Sequence, residues 1–233
     1  MAFSLFVAAT TSLAISRAPA SFQAALGTAP ALCTALQGGG SPSALTDFLQ
    51  SSAGARGFFV TWLTGDEWTR ADDAEPPAAL TAAVIQAPDE VAELMLMNVV
   101  MSAATGRTLQ IAGRDDEAEL AGRTCARAIG LVRSLADRMP TVQSGLDQLL
   151  QLMSVTTEKE LASQEDDASG AGDDGDVDEA RWVDFLSRWQ YDDEQCEAVR
   201  IALLRCAGGA DTVEVAEAPA AAEPPPAPQV SGM

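Results

Sequence analysis

Residues 88–104, PDEVAELMLMNVVMSAA, constrain this chain more than any other stretch. Pro88 stands where a first helical turn tolerates a missing N–H, and Asp89, Glu90 and Glu93 place negative charge at the positive end of a helix dipole. No further charge follows until Arg107. Between them Leu94, Met95, Leu96, Met97, Val99, Val100 and Met101 are apolar on every side of the helix, more than one stripe facing one neighbour accounts for. The pattern predicts a central, buried helix. A membrane span needs about 20 mostly apolar residues. This run is shorter and is broken by Asn98, so no transmembrane segment is expected in the mature chain. A buried amide left without partners costs about 1 to 3 kcal/mol, which makes Asn98 a candidate either for bridging two helices or for binding.

The surrounding composition excludes several function classes. The chain has 233 residues and no histidine, which removes the commonest general base, the usual Ser or Cys triads and every His-ligated metal site. Its formal charge of -20 repels phosphate backbones, so nucleic acid is not an expected partner. No catalytic set, cofactor motif or metal cluster is found. A run near Gly175 looks briefly like a calcium loop, but in that register Gly170 and Gly172 fall on ligand positions and Arg181 on the twelfth, which rules it out.

The amino terminus reads as an address. Up to Thr46 the only charged residue is Arg17, Phe3 to Ile15 forms an apolar run, and Ala18-Pro19-Ala20 fits a small-residue cleavage site before Ser21-Phe22. This order resembles the two-part leaders of algae with complex plastids, a signal peptide followed by a transit peptide. It implies the plastid stroma, with secretion as the alternative. Residues 1–41 are therefore expected to be a targeting leader outside the fold.

Residues 42–155 read as an all-α irregular bundle. Ser43 is placed to cap a short helix through Leu49, and the aromatic run Gly57 to Leu63, closed by Gly65, reads as a short buried helix, with a strand as the alternative that its length and β-branched content allow. Trp68 follows in a polar loop, Asp66 to Pro77, and is expected with Trp62 to plug the core, the alternative being a pocket wall. Ala78 to Gln86 makes another short helix. Asp115 to Met139 is amphipathic, with Leu120, Thr124, Ala128, Leu131, Val132 and Leu135 on one face and Arg123 and Arg127 opposite, where they are expected in solvent or on an anionic group. Thr141 to Ser154 forms the next helix.

Residues 156–177 are expected to be an acidic flexible linker and residues 209–233 a disordered Pro/Ala/Glu tail. Between them, residues 178–208 form a helical hairpin, with Trp182, Phe185, Leu186 and Trp189 recurring at helical spacing and Asp192 capping the second helix. Cys33 falls in the leader. Cys125, Cys196 and Cys206 read as buried thiols, with a bridge from Cys125 to either of the others left open.

The segments NVVMS (98–102) and DFLSRWQYDDEQ (184–195) are similar to uncharacterised helical proteins of cyanobacteria and plastids, a resemblance that spans residues 58–206 and brings no catalytic residues. The function expected is that of a non-enzymatic interaction or assembly factor with a protein partner, its oligomeric state left open. Two alternatives stand beside it. One is a binder of a hydrophobic small molecule or pigment; the other is an enzyme using carboxylates such as Asp66, Glu67 or Asp72. Candidate binding residues are Trp62, Trp68, Asn98, Arg123 and Arg127.

Overall fold

The computed structural model describes residues 18–41, 43–155 and 174–208. Among the described residues the chain is all helical and has no strand: α1 (Phe22–Gln37), α2 (Ala44–Leu49), α3 (Ser52–Thr64), a 3-10 turn (Thr69–Asp72), α4 (Ala78–Ile85), α5 (Asp89–Ile111), α6 (Asp115–Ala136), α7 (Pro140–Val155), α8 (Asp174–Trp189) and α9 (Asp193–Cys206). The all-α bundle with a C-terminal hairpin is what the patterning predicts. The tail lies outside the described residues, as do residues 156–173 of the expected linker.

α5 is the centre, packed against α3, α6, α7 and α9. Val91, Met95, Leu96, Val99 and Val100 are buried, whereas Met101 is exposed and Leu94 and Met97 are half-buried. The helix is thus enclosed on most of its circumference rather than all of it. No helix of the described residues is long and apolar enough to cross a membrane.

The expected leader boundary at residue 41 does not fit the fold. Ser21 caps α1, its Oγ accepting from the Ala24 N–H at 3.2 Å, and Ala25, Ala29, Leu32, Cys33 and Leu36 of that helix are buried in the core. The Ala-rich, acid-free composition that suggests a transit segment serves here to bring two helices close together. An added Cβ at Gly57 of α3 would lie 2.5 Å from the Ala25 Cβ. Such proximity is open only to small side chains, and a buried helix has no use for charge.

Smaller differences have local causes. Ser43 makes no cap hydrogen bond because its backbone is already helical. α8 begins at Asp174, inside the stretch expected to be linker. Trp182 and Leu186 are buried, with Trp182 edge-on to Phe185 at 5.9 Å, whereas Trp189 in the last turn is 49% exposed. Gln190 turns the chain with φ 47°, and a reciprocal cap starts α9: the Gln195 N–H donates to Asp192 Oδ1 at 2.8 Å, and the Asp192 N–H donates to Gln195 Oε1 at 2.9 Å. Gln195 Nε2 then donates to Thr108 Oγ1 at 2.6 Å, tying α9 to α5. All four cysteines are free thiols, so the bridge left open from Cys125 is not formed; Cys196 is only half-buried.

Candidate functional site

Four of the five candidate residues meet around the loop that follows α3. Trp62 is buried in α3 and stacks on Phe58 at 6.2 Å, and Trp68 is buried where the loop begins, so both are packed into the core. Asn98 stands apart. Its Nδ2 donates to Leu94 O at 2.7 Å within its own helix, and it bridges no second helix among the described residues.

Arg127 lies far from the solvated face that the periodicity assigns it, being 4% exposed. Its Nε and Nη2 donate to Asp72 Oδ1 and Oδ2 at 2.6 and 2.8 Å, a bidentate pair, and Nη1 donates to Leu63 O at 3.1 Å and Gly65 O at 2.9 Å. Arg123 pairs with Asp66 at 2.7 Å on the same loop. The loop therefore covers the side of α6 that the amphipathic pattern leaves to water. Arg127 holds the Asp72 carboxyl below its usual range. A carboxyl so held is the opposite of a general acid, which needs its proton retained.

The thiols are equally quiet. Burial pushes Cys33 and Cys206 up to about 12 and raises Cys125, so none is a poised thiolate.

What remains open is a groove along α6. Ala118, Gly122, Ala126 and Gly130 recur every four residues and replace a ridge of side chains by a row of small ones. Two recesses lie along this row. The first, of about 530 Å³, is walled by α5 and α9 and floored by Ala118, Gly122 and Ala126, with Ala198 and Ala202 of α9 and Gly106 of α5 facing in. The second, of about 560 Å³, is walled by residues 71–76 of the loop and floored by Ala126, Ile129 and Gly130. Ala126 and Arg205 line both. From Ala118 to Gly130 the row runs about 18 Å at 1.5 Å per residue.

The glycines of this row are not demanded by packing among the described residues. An added Cβ at Gly122 or Gly130 would meet nothing within 4 Å, in contrast to Gly57. The walls are polar and mixed in sign. Arg107 of α5 pairs with Glu194 of α9 across the first recess, and Asp193 and Glu197 stand beside them. Asp73 and Glu75 face Arg133 across the second. Sequence reasoning misses this groove because it treats alanine and glycine as filler. The four-residue spacing from 118 to 130, with Gly122 on an otherwise exposed turn, is the signal that was available.

A protein-family model described as uncharacterised conserved protein UCP020893 matches residues 21–206. No curated protein and no solved structure matches the chain.

Proposed function

The chain belongs to the uncharacterised conserved protein UCP020893 family, and on that premise we propose that it is a non-enzymatic interaction or assembly factor whose α6 groove receives a segment of a protein partner. The observation that carries this reading is the open row of small residues, whose glycines at 122 and 130 answer to no contact among the described residues. Grooves floored by alanine and glycine admit the backbone of a neighbouring element closely, which favours a macromolecular segment over a ligand. The first recess has no methionine or aromatic residue in its lining, which counts against the pigment-binding alternative. The pairing of Asp66 with Arg123 and Asp72 with Arg127 counts against the carboxylate enzyme.

Native extracts of the source cells test this. The protein should migrate in a complex, and Gly122→Leu, which fills the groove without touching the core, should return it to the free chain. Migration of both forms as the free chain would overturn the reading.

The plastid stroma is carried as the proposed compartment, on the signal-plus-transit resemblance of residues 1–41. A reporter fused to residues 1–41 should enter plastids; its secretion would assign the alternative.

A further inference from the structure

We infer that the recess between α5, α7 and α8 is a binding site for a small neutral carboxamide, held by the Trp182 indole N–H and the Gln148 side-chain carbonyl. This site does not rest on the α6 groove or on the partner proposed for it.

The recess measures about 240 Å³ and is built where α8 meets the bundle, with Glu93 of α5, Gly145 and Gln148 of α7, and Arg181 and Trp182 of α8 around it. Two of its polar groups are left over after internal pairing. Gln148 Oε1 is buried and accepts no hydrogen bond. The Trp182 side chain is 5% exposed and packs edge-on against Phe185, and its indole N–H donates to no acceptor among the described residues. Native interiors leave few polar groups unpaired, because each has given up its water for nothing. A donor and an acceptor left over in the walls of one recess point to an occupant that supplies both.

Charge and spacing set the chemistry of that occupant. Glu93 and Arg181 are the one anion and the one cation of the described lining, and they are paired with each other. Thr141 at the start of α7 has spent its hydroxyl hydrogen on Asp89 at 3.1 Å, whose carboxylate offsets the positive end of that helix. Neither sign is in excess, so a neutral ligand fits better than an ion. Gly145 and Gln148 share a face of α7, about 4.5 Å apart along its axis. The edge of Trp182 lies over Gly145, where an added Cβ would stand 3.6 Å from Cζ2 and 3.7 Å from Nε1. The terminal amide torsion of glutamine is a broad one, so Oε1 turns toward a donor in the recess at small cost. A carboxamide carries its C=O and N–H on the same carbon and meets both groups at once. Water is the competing occupant, each molecule taking about 30 Å³ of the liquid.

The test follows the Trp182 indole N–H signal, assigned with Trp182→Phe, in nitrogen–proton NMR spectra of the full chain titrated with benzamide. The signal should shift saturably. Methyl benzoate keeps the acceptor and lacks the donor, benzylamine keeps donors and lacks the acceptor, and each should bind about tenfold more weakly. Gln148→Leu removes the leftover oxygen, so its thermal midpoint should match or exceed that of the native chain, which shows the fold intact. It should weaken benzamide about tenfold and leave methyl benzoate unchanged. No saturable shift with benzamide would leave the recess to water and overturn the proposal. Equal binding of benzamide and methyl benzoate, or of benzamide by the native and Gln148→Leu chains, would make the recess merely apolar and overturn it too. Tighter binding of benzoate would show the glutamine amide presenting its N–H2 instead, and tighter binding of acetyl-Gly-Gln-Gly-amide would assign the site to a side chain of a partner protein; either result overturns the small-carboxamide assignment. All these failures leave the α6 reading standing, since that reading is tested by Gly122→Leu in native complexes.

Discussion

A guanidinium removed from water is tolerated only where its donors find acceptors of fixed geometry, and Arg127 meets that condition with both oxygens of Asp72 and the carbonyls of Leu63 and Gly65. Arg127→Met strips the carbonyls of their donor and should destabilise the fold by about 2 to 4 kcal/mol in urea unfolding. Arg127→Lys should recover only part of this, because one ammonium cannot span four acceptors. Asp72 is far more solvated, at 45% side-chain exposure, so Asp72→Asn should cost less, about 1 kcal/mol. A pH dependence follows from the same pair. The folded Asp72 carboxyl is held below its ordinary value of 3.8 by the hydrogen bond from Arg127. Its contribution is therefore present above that value and is lost as pH falls through the lower folded value. Acid unfolding of Arg127→Met should show a shallower fall in stability below about pH 4 than the native chain; equal slopes would show that Asp72 draws nothing from the pair. The role of Arg127 was hidden in the sequence for a physical reason. Periodicity reports the face of α6 turned to the main core, and it is blind to a loop that returns to cover the other face.

Helix contacts at close range depend on which glycines are crowded and which are open. Gly57 is crowded: its Cβ would lie 2.5 Å from Ala25 Cβ and 3.1 Å from the Ala25 carbonyl carbon, and a backbone atom cannot yield as a flexible side chain does. Gly57→Ala should cost about 1 to 3 kcal/mol despite the gain in helix propensity, read as a lowered thermal midpoint. Gly122→Ala meets nothing and should stabilise by about 0.5 to 1 kcal/mol through propensity alone. Opposite signs at two helical glycines would confirm that α1 and α3 touch where the groove does not. α5 and the burial of α3 were legible because large apolar residues mark burial, as at Phe58, Trp62 and Leu96, whereas so short an aromatic run left helix and strand both open for α3. α1 was legible as an apolar segment but was assigned to targeting, since Ala25 and Ala29 look the same in a leader as in a tight helix crossing. Leu120 misled in the other direction: it continues the apolar face of α6 in sequence and is 48% exposed.

At the scale of the molecule, α1 separates two accounts of the amino terminus. If residues 1–41 were removed on the way to the working protein, the bundle would lose Leu32, Leu36, Cys33, Ala25 and Ala29 from one connected core that also holds Phe48, Phe58 and Phe59. Full burial of each leucine is worth about 1.5 to 3 kcal/mol. The loss of both, with the facing surface of α3 laid open, is comparable with the whole stability of a typical domain, about 5 to 15 kcal/mol. Hydrogen bonds at the helix end add to this: Gln37 Oε1 accepts from the Arg70 backbone N–H at 2.9 Å and Gln37 Nε2 donates to Thr69 Oγ1 at 2.6 Å, so α1 also holds the 3-10 turn of the loop that Arg127 pins. A chain starting at Ser21 should therefore fold with a cooperative thermal transition, whereas one starting at Ala44 should show no such transition and should bind a hydrophobic dye in the way of partly folded chains. A cooperative transition in the shorter chain, at a midpoint equal to that of the longer one, would show α1 to be dispensable and would return residues 22–37 to the leader.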